Sequence, residues 1–537
     1  MDYSTRRRRG GTVSTGFLVN ILLVYPEFPD TFWSFRRALK FAHKRASLPP
    51  LGLLTVAALL PGDWNKRLVD MNVRRLRDRD LAWADLVFVG AMMVQRGSAR
   101  AVIARARAAG RTVVAGGPLF QDEAERGVAA DHFVLNEAEL TLPPFLRDFA
   151  AGTARRVYTA DGFADLRTTP APMWELLDLS RYAGMSVQYS RGCPFNCDFC
   201  NVTALLGRRV RRKTSAQVLH EMDRLYARGW RGNVFVVDDN FIGNRRALKR
   251  DLLPALTAWR KGRTGFTFNT ETSIDLADDP ELMDAMAAAG FDTVFVGIET
   301  PDEECLAECS KTQNRNRDLV ADVKRIQRAG LQVQGGFIVG FDHDPPGIFQ
   351  RQIDFIQRSG IVTAMVGLLQ APPGTRLYAR MAREGRLRQA ASGDNADGTT
   401  NIEPAMGLAT LKSGYRHILR SIYAPKPYYR RIRTFLREYR PPAVRLPFSG
   451  SRIVALGHSL YRLGLIGRER VHYWKLLLWT ALRRPRLLPE AVTLAIYGHH
   501  FRKLCERTAG RCRAATGGGR AVRSDAPLAS DTLTKTG

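Results

Sequence analysis

Three cysteines within eight residues, Cys193, Cys197 and Cys200, constrain this chain more than any other stretch. They stand in Arg191-Gly192-Cys193-Pro194-Phe195-Asn196-Cys197-Asp198-Phe199-Cys200, directly behind an apolar, strand-like run from Met185 to Ser190. Three thiolates on one short loop hold three irons of a [4Fe–4S] cube and leave the fourth iron without a protein ligand; clusters used for electron transfer are closed by a fourth cysteine. Zinc knuckles also use close cysteines, but they need four ligands, commonly as CxxC pairs. No partner Cys or His pair follows within the next fifty residues. A disulfide loop does not suit 7 Cys in 537 residues with no secretory signal. Of the other cysteines, Cys305 and Cys309 lie four apart on a predicted helix and read as buried thiols rather than ligands; Cys505 and Cys512 lie far down the chain. A labile cluster and few cysteines together imply a reducing cytoplasm.

The loop sits at the head of a series of strand–helix units. Strands are predicted at 186–190, 233–237, 265–270, 293–298, 333–339 and 364–368, with helices such as 215–228, 280–289 and 319–329 between them. Six such units predict a partial (β/α)6 TIM-like barrel over 185–385, whose chemistry sits at the carboxyl ends of the strands. An earlier alternating series, 19–150, has strands at 19–25, 66–71, 86–90, 112–116 and 132–135 and helices at 51–60, 98–109 and 139–150. It predicts a doubly wound, Rossmann-like parallel sheet. Residues 151–184, punctuated by Pro170 and Pro172, read as a linker. The turn-rich stretch 387–400 reads as a boundary, with a basic, mainly helical domain from 386 to 513. Residues 1–18 and 514–537 read as disordered ends.

The net charge of +29 is unevenly placed: residues 411–537 hold 26 Lys and Arg against 6 Asp and Glu. Such a tail invites nucleic acid or anionic lipid. The run Tyr473-Trp474-Lys475-Leu476-Leu477-Leu478-Trp479 is far too short to span a bilayer, which takes roughly 20 residues. It suits an interface, with Trp474 and Trp479 at headgroup depth; the plainer reading is a helical domain with a solvated basic surface.

Candidate site residues fall at strand ends. Asp238, Asp239 and Asn240 end the second barrel strand as acceptors suited to an amino group, or as helix caps. Glu299 ends the fourth and can accept from a ribose or amino group. Gly336, within Gly335–Gly340 on the fifth, leaves room for a flat base. In the first series, Gly116 and Gly117 let a large flat ligand or a phosphate approach the backbone.

The cysteine run, with aromatic Phe199 before its last cysteine, resembles the signature of the radical S-adenosylmethionine (SAM) superfamily. Over 19–375 the chain resembles members with a cobalamin-binding domain: Ala115-Gly116-Gly117-Pro118 and Leu135-Asn136-Glu137-Ala138-Glu139 match landmarks of that domain, although Asn136 stands where glycine is usual. The motif supplying a lower axial histidine is missing. Tyr25-Pro26-Glu27-Phe28-Pro29, Leu48-Pro49-Pro50-Leu51-Gly52 and Val237-Asp238-Asp239-Asn240-Phe241 look like the subgroup that includes hopanoid carbon methylases, as does the basic region around Tyr428-Tyr429-Arg430-Arg431. The resemblance implies cluster ligation by Cys193, Cys197 and Cys200. It implies SAM contacts near Phe199, Asp239, Glu299 and Gly336, and cobalamin beside Gly116 and Gly117. It also implies reductive cleavage of SAM and methyl transfer to an unactivated carbon of a hydrophobic, hopanoid or other lipid substrate. The electron source would be a reductant such as flavodoxin or ferredoxin. The location implied is cytoplasmic, with peripheral contact on the inner face of the membrane, and nucleic acid is not an expected partner.

The competing readings are distinct in kind. A radical rearrangement or oxidation would use cobalamin without methyl transfer. A methylthiotransferase acting on transfer RNA would need a second cysteine triad in the N-terminal domain, and no cysteine precedes Cys193. A membrane-associated sensor would use the cluster as a signal and cleave no SAM.

Overall fold

The computed structural model describes residues 19–441 and 450–516. The basic N-terminal stretch 1–18 and the tail beyond 516 lie outside the described residues, as does the side chain of Cys512. The chain forms two parallel sheets in sequence, then a helical region. The first sheet holds β1 (Asn20–Tyr25), β2 (Asn65–Asp70), β3 (Leu86–Gly90), β4 (Thr112–Gly116), β5 (His132–Val134) and β6 (Val157–Tyr158) in the order β2-β1-β3-β4-β5-β6. All pairs are parallel. Helices cover both faces, which is why β1 reads as a continuous apolar run. Ile21 and Leu23 pack with Leu53 and Phe145 on one side, Leu22 and Val24 with Val102 and Ile103 on the other. The strand order reverses between β1 and β3, which opens a crevice at their carboxyl ends.

The second sheet begins with β7 (Gly184–Val187). A two-stranded ribbon, β8 (Ser190–Arg191) with β9 (Arg211–Arg212), then flanks the cysteine loop. The sheet continues through β10 (Asn233–Val236), β11 (Thr267–Thr272), β12 (Phe291–Glu299), β13 (Gln332–Val339) and β14 (Ala364–Leu368), each parallel to the strand before it. β7 and β14 do not pair, so the six strands make an open barrel. Val294, Val296 and Ile298 pack outward in the main core, so Phe295 and Gly297 face the lumen. Register puts Asn269, Glu271, Gln334, Gly336 and Met365 on that same inner face. The predicted first strand ran on to Ser190; it stops at Val187 because buried Asp238 accepts from the N–H groups of Tyr189 and Ser190 and turns the chain outward.

Two stretches expected to be connectors are structural. The linker supplies β6, buries Trp174 and Tyr182, and donates from the Tyr182 hydroxyl to Asp70 at 3.0 Å. Within 387–400, the expected boundary, residues 391–399 are wedged between the sheets. Arg96 donates to the Ala391 carbonyl, Gln370 donates to that of Asp394, and a side chain on Gly393 would strike Met93 and Val94. The helices at Leu408–Tyr423 and Pro425–Glu438 meet at Ala424–Pro425, as the proline predicts. They share the barrel's core through Leu411, Ile418 and Ile432, so they are not a separate accessory body. Arg431 is fully buried and ties the two, donating to the carbonyls of Ile422 and Val362.

Candidate active site

The cysteine loop is shaped by its backbone. Gly192 has φ +94, and a side chain there would meet the carbonyls of Arg209 and Gly207 at 2.7 and 3.0 Å, so only glycine starts this loop. The Cys193 N–H donates to Gly207, and the Asp198 N–H donates to Cys309. Arg376 donates to the Asn196 carbonyl and the Asp198 carboxylate, clamping the loop from outside. All three cysteines are partly exposed. Amide donors face two sulfurs: Asn240 Nδ2 stands 4.0 Å from Cys193 Sγ, and Gln313 Nε2 stands 3.8 Å from Cys197 Sγ. Burial raises the Cys193 thiol and pushes that of Cys200 up to about 12, so these groups carry protons that a bound metal must displace. Among the described residues no three His, Cys, Asp or Glu side chains gather tightly enough to hold a single metal ion. The donor set of three thiols on one loop, with amide donors turned to their sulfurs, fits an iron–sulfur cube with one protein-free corner. Cys305 and Cys309 are buried behind the loop, as expected, and the Cys305 thiol donates to Asp344.

Lys311 is the residue the sequence reading missed. Its ammonium donates to Glu299 at 2.7 Å, lies 6.0 Å from the centre of the Phe199 ring and interacts with Cys197. Burial works against the charge, yet Glu299 and Cys197 hold it above the usual lysine range. Glu299 takes φ +63, a left-handed conformation that turns its carboxylate back over Gly297, where an added side chain would strike it. Glu299 is therefore engaged by Lys311 through one carboxylate oxygen. Lys311→Met leaves Glu299 buried and unpaired and is expected to cost about 3–5 kcal/mol in chemical denaturation; adding Glu299→Gln should recover much of that loss.

The three acceptors after β10 divide their work. Asp238 is fully buried and accepts from Tyr189 N, Ser190 N and Ser190 Oγ, which fixes the turn into the cysteine loop. Asn240 spans Cys193 and Ser273. Among the described residues Asp239 accepts only from its own backbone; burial raises its pKa to about 6 against the pull of Arg191. Glu271 shares that region, and burial with the Asp239 charge raises it to about 8 from 4.5. In that window the native state holds a proton that the unfolded chain has lost, so Glu271 weakens stability as pH rises from about 4.5 to 8. Glu271→Gln should flatten this decline, measured by denaturation across that range. Gly336 faces the lumen, but the room it was expected to leave is filled by Phe295, whose ring comes within 2.8 Å of an added side chain. Trp33 stacks edge-on to Phe295 and donates to Met365 Sδ at 3.0 Å, capping this part of the lumen.

A cavity of about 510 Å³ lies where the two sheets' strand ends meet. From the first sheet it is lined by Gly90, Gly116 and Gly117, and from the barrel by Gln188, Arg191 and Val237. The glycines also serve close packing: a side chain on Gly116 would strike the Val134 carbonyl, and one on Gly117, at φ +92, the backbone of Ala91. Asn136 takes φ +57, the conformation that the usual glycine supplies, and accepts from Thr159 Oγ1 and Ala160 N. Its departure from the pattern therefore preserves the turn. Glu137 and Glu139, beside it, receive Arg191 at 2.7 and 2.8 Å, and Arg211 also reaches Glu137. This buried clamp joins the first sheet to the residue two before Cys193.

A doubly wound sheet and an open barrel, meeting at their strand ends with a three-thiol loop at the mouth, define an enzyme that works with an iron–sulfur cluster and a second large ligand. The chain belongs to the radical SAM superfamily, whose description matches residues 187–356; a domain of unknown function (DUF4070) matches 375–513. The chain is 41% identical over 490 residues to an uncharacterized methyltransferase of Synechocystis, covering 89% of this chain and 91% of that one. It is 33% identical over 504 residues to the hopanoid C-2 methylase of Rhodopseudomonas palustris, covering 90% and 92%. Among solved structures it is similar in fold to OxsB, a cobalamin-dependent SAM radical enzyme, with TM-score 0.58, 14% identity, and coverage of 95% of this chain and 82% of that one. It is likewise similar to the radical SAM methyltransferase TsrM from Kitasatospora setae, with TM-score 0.57, 17% identity, and coverage of 86% and 99%. The fold class and the superfamily expected from the sequence are both borne out.

Proposed function

We propose that this protein is a cobalamin-dependent radical SAM enzyme that places a methyl group on an unactivated carbon of a hydrophobic, lipid-like substrate. The observation that carries the reading is the single cavity shared by the switch point of the first sheet and the barrel mouth beside the cysteine loop. When bound, the cluster supplies the electron that splits SAM, and the corrin supplies the methyl group. Cys193, Cys197 and Cys200 would hold the cluster, with Phe199 packed beside it. Asp239, without another side-chain hydrogen-bond partner among the described residues, would receive the amino group of SAM, and Glu299 would act through Lys311. Gly116 and Gly117 would let the corrin lie against the strand ends. The R. palustris relative is named for a hopanoid, which supports a lipid substrate. Among the described residues no helix is long and apolar enough to cross a membrane. We place the enzyme in the cytoplasm, with a reductant of the flavodoxin or ferredoxin kind and peripheral contact with the inner membrane face.

The test is anaerobic reconstitution with iron, sulfide and hydroxocobalamin. Cobalamin should stay with the protein through gel filtration, and deoxyadenosine should form on reduction with SAM. Lipid extracts of cells with and without the gene should differ by a methyl group; a product with no added methyl would favour rearrangement or oxidation instead.

A further inference from the structure

The helical region carries an outward face that the proposed chemistry leaves unused. In the helix Arg470–Arg483, Tyr473, Leu476, Leu477 and Thr480 point into the core. The opposite side shows Val471, Trp474, Leu478 and Leu482 at spacings of three, four and four, one continuous stripe. Leu478 is 60% and Leu482 82% exposed, and Leu465 and Ile466, just before this helix, are 62% and 63% exposed. Lone exposed apolar residues are ordinary, but a stripe this bare is an interaction surface. Its charge narrows the partner. Arg462, Arg468, Arg470, Lys475 and Arg483 are exposed around it. The only carboxylate between 453 and 486, Glu469, is buried and held by Arg502 and His499.

We infer that this face docks on an anionic lipid bilayer, the apolar stripe entering the headgroup boundary and the cations meeting lipid phosphates. A nucleic acid would be met by the cations but would leave the aliphatic stripe in water. Of the two tryptophans considered for such a role, Trp474 is on the face, while Trp479 packs against the core. The face is fastened to the catalytic half of the molecule. His458, on the preceding helix Gly450–Ser459, meets the Phe41 carbonyl at 3.1 Å, and Arg462 lies over the Phe41 ring. Phe32, in that same N-terminal segment, stacks on Phe501, and its neighbour Trp33 caps the barrel lumen. Docking would thus hold the Trp33 side of the barrel at a fixed height over the lipid.

The test is co-sedimentation of the full chain with vesicles of equal parts phosphatidylcholine and phosphatidylglycerol, against vesicles of phosphatidylcholine alone. The protein should pellet with the mixed vesicles at low salt and be released by high salt. Lys475→Glu with Arg483→Glu should weaken binding about tenfold or more. Leu478→Ser with Leu482→Ser, both at solvent-facing positions, should weaken it while circular dichroism stays unchanged. Failure of the parent to pellet, or equal pelleting by parent and both variants, would overturn the inference. So would a dimer of the parent that the Leu478→Ser, Leu482→Ser variant splits without changing vesicle binding, since the face would then belong to a second copy. Retention of transfer RNA that is lost in the charge variant, with vesicle binding untouched, would assign it to nucleic acid instead. Docking needs no methyl transfer, so vesicle binding and turnover fail or succeed separately.

Discussion

Cys197→Ala is expected to abolish deoxyadenosine formation and to strip the iron–sulfur absorbance from the reconstituted protein. Cys197 is the middle thiol of the loop, faced by the Gln313 amide and the Lys311 ammonium. Two remaining thiols leave a cube with too few anchors, and neither Cys305 nor Cys309 is placed to substitute: both are buried, with thiols raised by burial, and Cys305 is engaged with Asp344. The backbone of the loop, held by Gly192, Arg376 and Asp238, does not depend on this side chain, so the fold should persist. Near-normal deoxyadenosine yield in the variant would remove the cluster assignment.

Arg191→Met is expected to be among the most destabilising single changes, at about 3–5 kcal/mol, because it strips a buried guanidinium from two buried carboxylates. Arg191 is 13% exposed, and Glu137 and Glu139 are 4% and 5%. Burial works to raise Glu139, but the hydrogen bonds and charge of Arg191 outweigh it and hold the carboxyl below the usual range. A depressed carboxyl contributes stability above its unfolded value and loses it as pH falls through the folded one. The gap between parent and variant should therefore be widest at neutral pH and shrink in acid below about 4.5. Arg191→Lys keeps the charge without the two-pronged geometry and should recover only part of the loss. Denaturation curves measure the energy. Cobalamin retention after gel filtration should fall in parallel, because the clamp lines the cavity. A variant as stable as the parent would show that the clamp holds nothing.

Much of this was readable because strands buried on both faces announce themselves. The apolar runs at 21–24 and 86–89, the repeated strand–helix spacing from 186 onward and the cysteine loop behind the first barrel strand all stand in the structure where their patterns put them. What stayed hidden depends on contacts between distant segments. Lys311 looks like any surface lysine; its burial is visible only once Glu299 and Cys197 converge on it. Gly336 reads as space, and the space is taken by Phe295 from the neighbouring strand β12. The stretch 391–399 has the glycine and acidic residues of a connector. Gly393 there fits beneath Val94, and Asn395 packs onto Gly367 of β14, where any side chain would strike its carbonyl.

The stack of Phe32 on Phe501, at 4.2 Å between ring centres, has a consequence for biogenesis. Phe32 cannot reach its final packing until Phe501, far along the chain, has also been synthesised. Such far-separated pairings slow the last stage of maturation.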